Sequence, residues 1–301
     1  MESLKKTELI ASGGLLLATI IWGFAFVVVK NSLDLIPPVY MVAIRFTIAF
    51  LAMSIIFAKK YKLLDKKTFK RGAVLGFWLF FSYMTQTIGC GLTTAGKNAF
   101  ITTVYVVLVP LLYWAFAKKR PDIFEIVSAV AAFLGIGLLS VDSAGAVNLG
   151  DVLTFVCGVG FAVHMIFVAI YNRDTDPVIL VMLQTGFTAV FAWVVALIYD
   201  GAFSFGTLDM SAVTSMLYLG LLSTMTAYFL QNIGQKYVKA SKAALIMSFE
   251  SVFGALFSII FLKEIVTLRM FLGCLIIFLA IITAETKLDF LKRKNEHIKE
   301  V

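Results

Sequence analysis

Glu250 is the residue whose type and place most directly imply chemistry. It stands near the middle of the apolar run 241–262. An ionisable side chain deep in a bilayer costs at least a few kcal/mol and so faces a cavity or a partner. There it either exchanges protons or binds a substrate amine, or it sits as a protonated carboxyl bonded between helices. Arg45 lies roughly 10 Å inside a second apolar segment, where it binds a substrate carboxylate, pairs with Glu250, or snorkels outward and packs. His164, near the middle of the apolar run 150–171, either titrates in the physiological range or packs as a neutral hydrogen-bonded ring. Lys30 closes the first apolar run, lending positive field to an outer vestibule or anchoring the helix at the interface.

A second set of polar residues repeats. Tyr83, Gln86 and Gly89 recur 145 positions later as Tyr228, Gln231 and Gly234. In the same register Lys97, Ala99, Val107, Leu111, Phe116 and Lys118 recur as Lys242, Ala244, Val252, Leu256, Phe261 and Lys263. Each Tyr/Gln pair is spaced i, i+3 and so shares one helix face. Phenols and amides in hydrocarbon need partners; these pairs line a cavity or tie helices together. In this register Tyr105 is the counterpart of Glu250. Trp22, Trp78, Tyr105 and Phe24 supply an aromatic wall or ordinary packing. Glycines at Gly72/Gly76, Gly89/Gly91 and Gly135 fit close helix approach.

Several chemistries lack their residues. The chain has no His-Glu-x-x-His, no Gly-x-Ser-x-Gly and no phosphate-cradling glycine loop followed by lysine and serine or threonine. No catalytic residue, metal ligand set or cofactor is therefore expected, and ATP-driven work by this chain alone is disfavoured. Cys90, Cys157 and Cys274 are scattered in or beside apolar segments, neither a disulfide framework nor a metal site. The net charge of +8 does not point to nucleic acid, because the basic residues sit between apolar blocks and not on a soluble stripe.

The elements that must position these residues follow from composition. Sixty per cent of the chain is hydrophobic and 15% charged, against about half and a quarter for a soluble domain. A spanning helix needs roughly 20 apolar residues. Ten segments qualify: 9–29, 38–58, 72–92, 96–117, 123–141, 150–171, 177–199, 212–234, 241–262 and 268–286. The first has Lys5 and Lys6 before it but no small-x-small cleavage site after it, so it reads as an uncleaved helix. With the N-terminus in the cytoplasm, Lys5, Lys6, the basic run in 59–71, Lys118-Lys119-Arg120, Arg173, Lys236, Lys239, Lys242 and the basic tail fall inside. Lys30, Lys97, Lys263 and Arg269 fall outside. The positive-inside rule thus puts both termini in the cytoplasm. Five helices per half make the repeat inverted. The predicted fold is an all-α integral membrane protein: residues 1–142 form the first repeat, and 143–301 the second with a short basic tail. Secondary transporters are commonly built this way, with the substrate at the repeat interface.

At this point the chain resembles the drug/metabolite transporter superfamily, as a ten-helix member built from two EamA-type repeats. The resemblance is carried by Trp22-Gly23-Phe24-Ala25-Phe26 leading to Lys30, Pro37-Pro38 with Arg45-Phe46, Asn98-Ala99 through Pro110, and Gly135-Ile136-Gly137. In the second half it is carried by Ser248-Phe249-Glu250-Ser251-Val252-Phe253 and by Glu264 after Leu262-Lys263. Two positions depart from the family: Ser251 stands where proline is usual, and the 118–120 run replaces a loop glutamate. The resemblance implies export of amino acids or other small metabolites, or carriage of drugs or nucleotide sugars. With the inverted repeat and Glu250 it points to alternating-access movement of small amphipathic solutes across the bacterial inner membrane, with amino-acid or metabolite export first and protons as a coupling ion. A monomer in the lipid bilayer is compatible with it. A flippase for lipids or lipid-linked metabolites, or a non-transporting receptor or assembly protein, are the alternatives.

Overall fold

The computed structural model describes residues 2–117, 120–140, 147–238 and 240–287. Lys118, Lys119, Lys239, the tail beyond Lys287 with His297, and the 142/143 repeat boundary lie outside the described residues. Described residues form helices and no β-strand. In chain order these are α1 (Glu2–Ser32), α2 (Pro38–Ile56), a 3-10 turn (Ala58–Leu63), α3 (Lys66–Leu92), α4 (Ala95–Thr102), α5 (Tyr105–Ala117) and α6 (Ile123–Ser140). The second half gives α7 (Leu149–Tyr171), α8 (Pro177–Tyr199), α9 (Met210–Leu217), a π-helical stretch (Tyr218–Thr226), α10 (Ala227–Tyr237), α11 (Ala240–Leu262) and α12 (Leu268–Thr286).

Eight of the described helical stretches are long and apolar enough to span a bilayer. Two of these are composite: Ala95–Trp114 joins α4 to α5, and Met210–Tyr237 joins α9, the π stretch and α10. Two more apolar stretches, Ile246–Leu262 and Leu268–Ala284, lie within α11 and α12; these helices run 23 and 19 residues and reach roughly 35 and 29 Å, close to the roughly 30 Å hydrocarbon core. The chain is therefore a multi-pass membrane protein with at least eight candidate spans.

Local chemistry sets the helix starts. Asp65, Thr94, Asn148, Asp176, Asp209 and Thr267 each accept a backbone N–H of the first turn that follows. Pro38 and Pro177 open α2 and α8, where a missing N–H costs nothing. No side chain of its own caps α2. Instead Asp200, at the end of α8, accepts from Val39 N at 2.8 Å and Tyr40 N at 3.1 Å. In the α4–α5 span, i→i−3 bonds such as Val104 N to Ile101 O replace helical ones. The Thr103 hydroxyl also takes the Ala99 carbonyl, a back-bond that bends helices.

The halves pack by exchange. α3 runs along α7, and its counterpart α10 runs along α1. α1 packs on α11 as α7 packs on α4 and α5, and α3 meets α8 as the π stretch meets α2. The self-paired contacts are α2 with α8, α4 with α11 and α6 with α12. This is the pattern of two similar halves related by a two-fold axis. The offset between halves is 139 for Pro38/Pro177 and 145 for Tyr83/Tyr228. Most of the difference is extra length of α8, 23 residues against 19 in α2. The capping aspartates Asp65 and Asp209 are 144 apart, so one more residue enters between Asp209 and Tyr228. That is the extra residue a π winding absorbs.

Glycines let these pairs touch. A Cβ on Gly89 would lie 2.8 Å from the Gly150 carbonyl, and one on Gly150 2.7 Å from the Gly89 carbonyl. Gly135 and Gly273 are reciprocal in the same way, each 3.0 Å from the other's carbonyl. Gly91 differs: a Cβ there meets only a Leu33 methyl at 3.5 Å. At the Arg71 end, Lys67 and Arg71 each reach Asp174 at 2.5 Å, Arg71 also bonds Thr175, and Lys60 reaches Asp176 at 2.6 Å. These pairs tie the basic 59–71 segment to the turn between α7 and α8.

Two outcomes follow from this packing. Gly89→Ala should lower the unfolding free energy in detergent by about 1–3 kcal/mol, because the facing atoms include the Gly150 carbonyl and Thr154 N of the backbone, which cannot move aside. Gly91→Ala should leave it nearly unchanged. Hydrogen bonds from Arg71 and then Lys67 hold the Asp174 carboxyl down from 3.8 to about 2. A depressed carboxylate contributes stability in full above 3.8 and loses it as pH falls through about 2. Carbon NMR of the Asp174 carboxyl should show that low midpoint and its return toward the ordinary value in Arg71→Gln. An unchanged midpoint in the variant would show that Arg71 does not act on it.

Candidate functional site

One cavity lies where the two halves meet, and every polar or aromatic candidate from the sequence lines it except Lys30 and the wall aromatics Phe24 and Trp78. Trp22 comes from α1, Arg45 from α2, Tyr83 and Gln86 from α3, and Tyr105 from α5. His164 comes from α7, Tyr228 and Gln231 from α10, and Glu250 from α11. Its open space is about 60 Å³, which holds only a few waters at the roughly 10–15 Å³ each requires.

The centre of the cavity lies on the axis between the halves. The Tyr228 hydroxyl donates to the Tyr83 hydroxyl at 3.2 Å, joining residues one repeat apart. Each tyrosine also takes an aromatic edge from the opposite half: Trp22 on Tyr228 at 5.5 Å and Phe161 on Tyr83 at 5.3 Å. The amides follow the same symmetry. Gln86 Nε2 donates to Thr102 Oγ1 at 3.2 Å, and Gln231 Nε2 to its repeat counterpart Met247 Sδ at 3.8 Å. A thioether accepts weakly, so the second amide is the looser of the two.

The charged groups break that symmetry. Glu250 is 8% exposed, and its carboxyl has no hydrogen bond or ion pair among the described residues. Its counterpart is the phenol Tyr105. Arg45 is 2% exposed and forms no ion pair with Glu250. It donates instead to Thr224 Oγ1 and Ser223 Oγ, both at 3.0 Å, and lies 4.6 Å over the Tyr83 ring. The counterpart of Arg45 in α8 is Gln184, whose amide oxygen meets His164 Nε2 at 2.8 Å. His164 is thus held by a neutral partner. Among the described residues no group of three His, Cys, Asp or Glu side chains is placed to hold a metal.

Lys30 lies away from the cavity lining. Its ammonium donates to the carbonyls of Cys90, Gly91 and Thr93 at 2.8, 3.1 and 2.6 Å, capping the C-terminal end of α3, where backbone carbonyls lack helical partners. Near it, Glu264 accepts from Ala95 N at 2.7 Å and Gly96 N at 3.1 Å and so caps α4. Buried Asp151 accepts from Thr93 at 2.5 Å and pairs with Lys97 at 3.5 Å.

The sequence reading passed over Asn98, Thr102, Ser223 and Met247, which also line the cavity. Asn98 is fully buried; its amide nitrogen reaches the Gln86 carbonyl and Thr154, while its Oδ1 has no partner among the described residues. Thr102 and Met247 were findable: each is 16 residues beyond its glutamine, on the next helix of the same repeat. Ser223 was not, because its presentation depends on the π winding.

The Tyr83–Tyr228 contact can be weighed. In a double-mutant cycle with Tyr83→Phe and Tyr228→Phe, unfolding should show a coupling of about 0.5–1.5 kcal/mol, the net worth of one buried hydrogen bond. Strict additivity would mean that the two hydroxyls do not interact.

Comparison with known proteins agrees with this architecture. The EamA-like transporter family matches the chain twice, over residues 9–141 and 148–285. A protein of Archaeoglobus fulgidus named an uncharacterized transporter is 34% identical over 281 residues, covering 93% of this chain and 87% of its own. An Escherichia coli protein named "Probable amino-acid metabolite efflux pump" is 25% identical over 224 residues, covering 71% and 74%. A crystal structure of a protein 15% identical superposes with a TM-score of 0.67 over 93% of this chain and 98% of its own, a likeness of fold alone. With both halves matched in turn, this chain belongs to the EamA-like transporter family.

Proposed function

We propose that the protein is a secondary transporter that moves small amphipathic solutes, amino acids or related metabolites, out of the cell by alternating access. Ten spans form two inverted five-helix repeats, with α11 and α12 as the last two and both termini in the cytoplasm. The carrying observation is the cavity on the axis between the halves, centred on the Tyr83–Tyr228 bond. An axis there lets one half rock against the other around a fixed site, as inverted-repeat carriers do. The small space between the walls supports the same reading, since a metabolite enters only when they part. The E. coli relative's name is consistent with amino-acid metabolites as cargo.

Within this reading Tyr83, Gln86, Tyr105, Tyr228, Gln231 and Trp22 form the walls of the substrate site, and His164 is a polar wall residue. Glu250 is the coupling residue. It is a buried carboxyl without a partner among the described residues, and it takes up a proton or a substrate amine in turn. Lys30 has a structural task at the end of α3.

The test is movement of a mixed amino-acid and metabolite pool by protein reconstituted in vesicles, with and without a pH gradient, alongside Glu250→Gln. We expect gradient-stimulated movement that falls by roughly tenfold or more in the variant. Movement indifferent to the gradient and to the substitution would remove the coupling role. Failure of wild type to move any pool member would remove the transport reading.

A further inference from the structure

Arg45 is a buried cation that the protein surrounds with neutral partners. No carboxylate lies within ion-pair distance of it among the described residues. Its solvation comes from two hydroxyl oxygens and the face of Tyr83. Taking a guanidinium out of water without an anion is costly, and neutral dipoles offset only part of that cost. The surrounding structure therefore retains an unmet attraction for a negative charge.

The geometry around Arg45 is held from two sides. Thr224 gives its hydroxyl proton to the Leu219 carbonyl at 2.7 Å, five residues back along the π winding, so its oxygen faces Arg45 Nε as an acceptor. The Ser223 carbonyl is taken by Trp22 Nε1 at 2.8 Å, which fixes the segment whose hydroxyl meets Nη2. Gly220 lets the segment approach α2: a Cβ there would lie 2.6 Å from Ile48 and 3.2 Å from the Arg45 carbonyl. With Nε and one Nη2 hydrogen committed, Nη1 has no partner among the described residues, and Arg45 is part of the cavity wall. A guanidinium edge with free, parallel N–H donors suits a carboxylate in a two-bond fork. Trp22, Tyr83, Phe161 and Tyr228 beside it suit an apolar body.

We propose that Arg45 receives the carboxylate of the solute, that Ser223 and Thr224 are its positioning residues, and that the cavity selects small organic carboxylates with an apolar body over their uncharged isosteres. This rests on the cavity being the substrate site of the transporter.

The test is equilibrium binding to the purified full chain in detergent, with phenylacetate and phenylacetamide as probes, so no turnover is needed. Phenylacetate should bind at least about tenfold more tightly, the scale of one charge-assisted bond. Arg45→Gln should abolish the difference. Ser223→Ala and Thr224→Val should each weaken phenylacetate roughly tenfold while leaving phenylacetamide unchanged, and Thr224→Ser should restore it. A merely structural role for these hydroxyls would weaken both probes alike. If Arg45→Gln does not fold, the Thr224 pair of variants decides. Equal affinity for the two probes, or no phenylacetate binding by protein with a cooperative unfolding transition, overturns the proposal. A chain that moves solutes but binds both probes equally loses the receptor and keeps the transport. A chain that discriminates between probes but moves nothing does the reverse.

Discussion

Inside hydrocarbon every polar group must find its partner within the protein, and this structure is organised by where those partners are found. Many are local: Thr85, Thr103, Thr185 and Thr188 bond carbonyls on the preceding turn. Others are borrowed over long sequence distances. Asp200 caps α2, Glu264 caps α4, Lys30 closes α3, and Thr188 also reaches the Gly76 carbonyl at 3.1 Å. Each loan binds elements from different parts of the chain and forces backbones together, which is why the glycines sit at the crossings. The cavity is one place where the rule is left incomplete. Among the described residues, a carboxyl, part of a guanidinium and the Asn98 side-chain carbonyl lack partners there.

Symmetry and its failure divide the work of that cavity. The duplicated Tyr/Gln pairs build matching walls and meet on the axis, so the frame of the site comes from repetition. The groups that carry or can carry charge are not duplicated. Glu250 opposes Tyr105, Arg45 opposes Gln184, and His164 opposes Ala25. A site made of two equal halves would offer a solute two equivalent poses. This one places an arginine on one helix and an acid on another, with no like group at the related positions, so the cavity itself is polarised.

Much of this was legible in the sequence because its signals were one-dimensional. Long apolar runs gave the helices, and a fixed register gave the repeat, the tyrosines and the glutamines. Glu250 and Arg45 stood out because charge is scarce in such runs. The signals that failed were those needing three dimensions. Lys30 ended a helix in either reading, and only the fold shows that its ammonium serves α3. A single register of 145 held for α3 to α5, yet α1 and α2 follow 139, so Arg45 and Gln184 could not be matched from that register alone. The π stretch leaves no mark in residue types, and with it went Ser223 and Thr224.

The borrowed caps have a consequence for how the protein is made. When α2 enters the membrane, Asp200 has not yet been synthesised, and when α4 enters, Glu264 has not. At about 5–20 residues per second, the start of α2 waits several seconds or longer for its partner. The surfaces of α1 and α3 wait likewise for α10 and α7. The first half is therefore inserted before it is finished, and its final packing is completed by the second half from the far end of the chain. Biogenesis here is a matter of holding an incomplete unit in the bilayer until its counterpart arrives.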